Sequence, residues 1–325
     1  MIFPWLVLAV LAVLIGLIAL LYLRDRRRFM ARVAQGSRVL DSPYGRIEYA
    51  VRGEGPAVLA IHGTGGGFDQ SLDLGEALVT RGFRVIAPSR FGYLGSGFPA
   101  DASPTAQADA LAHLVHALGE QRVAVIGASA GAPSALAFAR RHPELCAGLV
   151  LLVPAAYAPG RVEKELPLLA RVIIFRVLRW DFLFWAWMKL APSTLIRTLL
   201  ATDPRLVLVA APDEQARARM ILDHILPVSR RVAGMFSDAE ISARPKPFPL
   251  ADIKVPALAV ACEDDLFDTH AAARHAAANI PGARLMSFPT GGHIWIGHHA
   301  EVFNGIAEFL RSLRWGVAPH VIPVR

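Results

Sequence analysis

The chain has 325 residues and a mass of 35.1 kDa, enough for one large domain with an insertion or for two ordinary domains. With 54% hydrophobic and 19% charged residues and a mean hydropathy of +0.40, it is too apolar to be disordered, and part of the apolar excess is expected to face lipid. The net charge of +7 is concentrated: residues 1–32 hold five arginines (Arg24, Arg26, Arg27, Arg28 and Arg32) against Asp25, a net of +4 that leaves only +3 for the rest, so no nucleic-acid partner is expected.

Residues 5–23 contain no charge and are nearly all Leu, Val, Ile or Ala. At ~1.5 Å rise per residue such a helix spans close to the ~30 Å hydrocarbon core. Trp5 and Tyr22 sit near its ends, where amphipathic rings favour the headgroup layer. A cleaved signal peptide needs basic residues before the apolar run and a small-residue cleavage site after it. Here the arginines follow, so the expectation is an uncleaved single-pass anchor, residues 1–30, with the remainder in the cytoplasm.

Beyond the anchor, short Val/Ile/Ala runs alternate with amphipathic stretches, the pattern of a mostly parallel sheet with crossover helices on its faces. Strands are predicted at 46–51, 57–61, 84–87, 123–126, 149–153, 257–261 and 285–288, and helices at 69–80, 105–118, 130–140, 269–279 and 301–313. The alternation stops between 155 and 250, a Leu-, Phe-, Trp- and Arg-rich stretch that reads as an all-helical insertion. The predicted division is therefore core 31–154, cap 155–250, core 251–315 and a tail over 316–325. Residues 166–190 are apolar enough for a second span, but Arg171, Arg176, Arg179, Asp181 and Lys189 oppose it, because each charge near a bilayer centre costs roughly 2.5–3.5 kcal/mol. Trp180, Trp185 and Trp187 are expected to line a pocket, touch a membrane surface or pack the cap onto the core. Cys146 and Cys262 are the only cysteines, which excludes a CxxC metal site and a disulfide framework and favours a reducing compartment.

Gly127-Ala128-Ser129-Ala130-Gly131 follows a predicted strand and opens a predicted helix. A sharp turn at that junction lifts a serine hydroxyl out of the sheet edge, the flanking glycines tolerate the crowding, and the helix N-terminus favours negative charge. A general base and an orienting acid should follow in the order acid, then histidine. The strand over 257–261 ends in Cys262-Glu263-Asp264-Asp265, with Asp268 beyond, and the last strand ends in Gly291-Gly292-His293. Residues 154–160, the other place for an acid, contain no carboxylate. Asp268, just before Thr269 and an Ala-rich helix, fits a helix N-cap. His62-Gly63-Thr64-Gly65-Gly66-Gly67 offers backbone N–H groups to an oxyanion, joined by the N–H of Ala130. It lacks the Gly-Lys-Ser/Thr and G-x-G-x-x-G spacings of phosphate-binding loops. His298 and His299 are expected on the surface at the start of the last helix and His270 and His275 on an exposed one, and no pattern of metal ligands is present.

Together, His62-Gly63, the 90–96 turn Arg-Phe-Gly-Tyr-Leu-Gly-Ser, the Ser129 motif, the acid after the seventh strand and Gly292-His293 resemble the α/β-hydrolase fold family, over about 38–154 and 250–313. The resemblance implies a helical cap between strands six and seven. It also implies Asp265 as the acid, three residues after the strand-ending position held here by Cys262, with Asp264 as the neighbouring alternative. An aspartate nucleophile is disfavoured, because Ser129 occupies that place. The resulting expectation is a membrane-tethered serine hydrolase of esters or related acyl compounds, using Ser129, His293 and Asp265, with Thr64, Gly65 and Ala130 as oxyanion donors and no cofactor or metal. The partners expected are a small acyl substrate, of lipophilic character given the apolar cap, and the membrane. Acyl transfer, carbon–carbon bond hydrolysis and cofactor-free haloperoxidation are the rival reactions, and an inactive binding protein is the rival of another class.

Overall fold

The computed structural model describes residues 3–160 and 179–315. Eight strands, β1 (Arg38–Ser42), β2 (Gly45–Arg52), β3 (Ala57–Ile61), β4 (Arg84–Pro88), β5 (Val123–Ala128), β6 (Cys146–Leu152), β7 (Ala257–Cys262) and β8 (Arg284–Phe288), form one sheet in the order β1-β2-β4-β3-β5-β6-β7-β8. The β1–β2 and β2–β4 pairings are antiparallel and all others are parallel. Every residue of β3, β5, β6 and β7 is buried, which is why these strands are unbroken apolar runs and do not alternate. β1 has no buried residue and no apolar run, so only its hairpin to β2, with Ser42 opposite Gly45, reveals it; it is absent from the predicted strands.

Helices α2 (Phe68–Val79), α3 (Pro104–Ala117), α4 (Ala132–Arg141), α10 (Thr269–Asn279) and α11 (His299–Arg311) flank the sheet, within about two residues of the predicted bounds. α3 packs on α4 and α2 on α11, giving a helical layer on each face. α11 shows the cause plainly: Val302, Phe303, Ile306 and Leu310 recur at helical spacing and are all buried.

Between β6 and β7 the described residues contain no strand. They form α5 (Asp181–Leu190), α6 (Pro192–Thr198), α7 (Pro204–Val209), α8 (Pro212–Asp223) and α9 (Val232–Ala243), with a core of their own that includes Phe184, Leu195, Leu222 and Val228. Of the stretch that could have been a second span, residues 166–178 lie outside the described residues, as does the tail over 316–325. The remainder is α5, which buries Phe184, Trp185 and Met188 against the cap.

Helix α1 (Phe3–Ala34) is the one helix among the described residues long and apolar enough to cross a membrane, with mean hydropathy 3.1 over its most apolar window and none of that window buried. It runs past the apolar stretch to the cap, whose core takes in Phe29; Val33, one turn on, is buried as well. Arg32 donates from Nε to Asp69 Oδ2 at 3.1 Å and also reaches the Leu226 carbonyl.

Candidate active site

The carboxyl ends of β3, β5, β7 and β8 converge on one cavity of about 1220 Å³, whose lining includes Ser129, His293, Thr64, Trp187 and Ile225. β5 ends at Ala128, and Ser129 follows with φ of +49°, a left-handed conformation in a three-residue 3-10 turn that leads into α4. The flanking glycines are required sterically. A Cβ on Gly131 would lie 2.6 Å from the Ile61 carbonyl oxygen, and one on Gly127 would lie 2.5 Å from the Ala135 Cβ.

The Ser129 hydroxyl donates to His293 Nε2 at 2.9 Å, and the His293 Nδ1–H donates to Asp265 Oδ2 at 2.8 Å. Asp265 lies in the turn after β7, where the Phe267 N–H donates to Oδ1 at 2.9 Å and the Thr269 hydroxyl donates to Oδ2. Burial disfavours its charge, but His293 and these hydrogen bonds outweigh it and hold the carboxyl below the usual range. The Phe267 ring stands edge-on to the His293 imidazole at 5.1 Å between centroids, restricting its rotation. Asp264 plays a different part: it accepts the N–H groups of Gly291 (3.2 Å) and Gly292 (2.8 Å), and so clamps the loop that carries His293.

Two expectations are corrected here. Asp268 does occupy the N-cap position of α10, but its φ of +56° turns the side chain away, and it makes no capping hydrogen bond. His298 and His299 are not free on the surface. His298 stacks on Phe288 at 4.3 Å, while His299 lines the cavity, where burial and the nearby Arg217 push its imidazole down to about 4.

At the end of β3, His62 is fully enclosed. Its Nδ1–H donates to the Gly63 carbonyl at 2.7 Å and its Nε2 accepts the Arg90 N–H at 2.9 Å, which defines a neutral ring; burial, with Arg90 close by, holds it well below the usual imidazole range. The loop beyond is thereby pinned to the 90–96 turn. Thr64, Gly65 and Ala130, the residues expected as oxyanion donors, all line the cavity with Ser129, and the Gly65 N–H lies 3.4 Å from Tyr93 Oη.

A second group of residues carries no motif in the sequence. Asp238, on α9 of the cap, accepts Arg90 Nη1 at 2.8 Å, Thr64 Oγ1 at 3.0 Å and the Tyr93 hydroxyl, and Arg90 Nη1 also reaches the Ala130 carbonyl at 3.3 Å. Arg231, with no exposed surface, donates to Asp69 Oδ2 at 2.7 Å and to the Gly66 carbonyl. Burial opposes the Asp69 charge, yet Arg231 and Arg32 hold its carboxyl below the usual range. The loop beside Ser129 is thus held by the cap at Thr64 and at Gly66. Cys146 and Cys262 are free and buried, and burial pushes both thiols up to about 12, where the thiolate is scarce. Among the described residues no group of His, Cys, Asp and Glu is placed to hold a metal ion.

This sheet, this connection order and a serine at the turn after β5 define a class, and the comparison with known families agrees. The family described as alpha/beta hydrolase fold matches residues 56–299, and the chain belongs to it. A 2-hydroxy-6-oxononadienedioate/2-hydroxy-6-oxononatrienedioate hydrolase of Burkholderia vietnamiensis is 30% identical over 288 residues, covering 82% of this chain and 91% of that one. An uncharacterized protein of Mycobacterium tuberculosis is 34% identical over 130 residues, and that match spans only 36% of its length. Among solved structures, an alpha/beta hydrolase fold protein from Nakamurella multipartita aligns with a TM-score of 0.63 at 24% identity, covering 85% of this chain and 99% of that one. A membrane phospholipase A aligns with a TM-score of 0.62 at 23% identity, covering 94% and 96%.

Proposed function

We propose that the protein is a membrane-tethered serine hydrolase that cleaves a lipophilic ester or related acyl compound through an acyl-enzyme. The observation that carries this reading is the row Ser129–His293–Asp265, closed at 2.9 and 2.8 Å on the wall of a large cavity. Ser129 Oγ attacks the acyl carbonyl while His293 Nε2 takes its proton, and the tetrahedral oxyanion is held by the N–H groups of Thr64 and Ala130. His293 then gives the proton to the leaving oxygen as the carbon–oxygen bond breaks. Water, activated by the same imidazole, releases the acid and restores Ser129. Asp265 keeps the proton on Nδ1 and stabilises the imidazolium that forms in each half-reaction.

The acyl chain is placed in the apolar part of the cavity, near Trp187, Met220, Ile221 and Ile225. The tether is α1, with the arginines that follow residue 23 retained on the cytoplasmic side, and the core divides into 31–154 and 251–315 around the cap 155–250.

A second reading, hydrolysis of a carbon–carbon bond in an oxo-dienoic acid, is favoured by the activity of the Burkholderia relative and by Arg197 and Arg217 in the cavity lining. The test is labelling with a fluorophosphonate probe, followed by two substrate panels: esters of graded chain length and oxo-dienoic acids. Covalent labelling at Ser129 with turnover of medium-chain esters supports the first reading. Labelling with turnover of oxo-dienoic acids alone supports the second. A chain that neither labels nor turns over either panel is a binding protein on a hydrolase fold.

A further inference from the structure

The cap helix α5 divides its side chains between three surroundings. Phe184 and Met188 are in the cap's core, and Trp187 lines the cavity that holds Ser129. Phe182, Trp185 and Lys189 form the seam with α1. The Tyr22 ring meets the Phe182 and Trp185 rings edge-on at 5.2 and 5.4 Å, the Trp185 Nε1–H donates to Asp25 Oδ2 at 3.0 Å, and Lys189 Nζ lies 3.2 Å from the same carboxylate. Three large apolar side chains are left bare: Leu183 is 44% exposed, Leu190 85%, and Trp180, just before the helix, 65%.

The seam fixes where this bare face lies. Its partners on α1, Tyr22 and Asp25, bracket the last residue of the apolar stretch, Leu23, so α5 sits level with the point at which α1 leaves the hydrocarbon. Tryptophan and leucine at that level match the layer where ring and acyl boundary meet. The surrounding charge is predominantly basic: Arg24, Arg26, Arg27 and Arg28 on α1 and Arg179 beside α5 are exposed, while of the two nearby carboxylates Asp25 is occupied by Trp185 and Lys189 and Asp181 accepts from the Ser229 N–H and hydroxyl. Such a basic rim complements anionic lipid headgroups.

We propose that Trp180, Leu183 and Leu190 form a membrane-docking face that seats the cap in the headgroup layer of an anionic bilayer, with Trp187, which follows Leu183 by four positions and precedes Leu190 by three on the same face of α5, leading from that layer into the active-site cavity. The proposal rests on the reading of α1 as a membrane anchor and deepens it: the anchor restrains the cap's orientation as well as its distance from the membrane. A lipophilic acyl chain then reaches Ser129 from the bilayer past α5, without crossing water.

The test uses the full chain reconstituted in nanodiscs of phosphatidylcholine and phosphatidylserine. Nitroxide labels are placed one at a time by Leu183→Cys, Leu190→Cys, Leu14→Cys within α1, and Leu285→Cys on the edge strand β8 as the aqueous reference; native Cys146 and Cys262 are buried. Collision rates with oxygen, which partitions into lipid, and with a polar nickel chelate are compared at each site. The expected result is an oxygen-to-nickel ratio several-fold higher at 183 and 190 than at 285, and highest at 14. Aqueous ratios at 183 and 190 with a bilayer ratio at 14 overturn the docking face and leave the anchor intact. An aqueous ratio at 14 overturns the anchor reading and the docking face with it. Labels at 183 and 190 shielded from both reagents, with dipolar broadening between copies, identify a second chain as the occupant and overturn the proposal.

Discussion

Asp238 on the cap and Thr64 on the loop beside Ser129 are joined by a 3.0 Å hydrogen bond, although 174 positions separate them. The same carboxylate neutralises the buried Arg90, which in turn reaches the Ala130 carbonyl. One cap residue therefore braces both strand ends beside Ser129, at Thr64 directly and at Ala130 through Arg90. Asp238→Asn leaves the Arg90 charge uncompensated in the interior, so a loss of about 3–5 kcal/mol of stability is expected. At a temperature where the variant is folded, turnover should fall about 10- to 100-fold, because displaced donors meet the oxyanion poorly. Thr64→Val removes only one hydrogen bond, about 1 kcal/mol, and should add little to Asp238→Asn. Melting curves and kcat for the two single variants and the double variant check both statements.

Ser129→Ala and His293→Ala are each expected to lower turnover of the best ester by about 10⁴- to 10⁶-fold, with the double variant little worse than either. Steady-state kinetics on highly purified protein measure this. Activity surviving Ser129→Ala would sink the acyl-enzyme mechanism.

The adjacent aspartates should separate by the kind of damage. Asp265→Asn leaves the turn in place but removes the partner of His293 Nδ1, and turnover should drop by about 10³- to 10⁴-fold with little change in melting temperature. Asp264→Ala releases the N–H groups of Gly291 and Gly292, and about 1–3 kcal/mol of stability should be lost while the chemistry is less affected. Measuring kcat and unfolding free energy on both variants distinguishes the two roles; the reverse pattern would move the acid to Asp264.

His299 sets a pH dependence. Its imidazole titrates at about 4 in the folded chain, against ~6.5 when unfolded, so below pH ~6.5 the unfolded chain takes up a proton that the native one refuses. Stability from this residue is therefore complete above pH ~6.5 and is lost as the pH falls toward 4. Denaturant titrations between these limits should show a slope for the natural chain that is shallower in His299→Gln.

Asp268 is exposed, left-handed and without a capping bond, so Asp268→Asn should change stability by only a few tenths of a kcal/mol, and Asp268→Gly should stabilise by up to about 1 kcal/mol. Thermal unfolding decides it. A loss of 1 kcal/mol or more in Asp268→Asn would restore the capping role expected from the sequence.

What the sequence by itself determined follows from local physics. Apolar runs over 57–61 and 123–126, short and bounded by turn residues, read as strands buried on both faces, a Gly-x-Ser-x-Gly between strand and helix reads as a tight turn, and an uncharged stretch over 5–23 has the length of a bilayer. That Asp265 and His293 would come together was legible because parallel strands deliver their carboxyl ends to one edge, where the two meet. Strand β1 escaped because an exposed edge strand needs no apolar pattern. The role of Asp268 escaped because spacing marks a cap position without revealing the φ that turns its side chain away. Asp238, Arg231 and Asp69 were beyond sequence reading for another reason. A buried charge is tolerated only through partners far away in the chain, so nothing near Asp238 announces Arg90 or Thr64. Only the packing of cap on core brings them together, and with them the restraint on the loop beside Ser129 and the seam that ties α5 to α1.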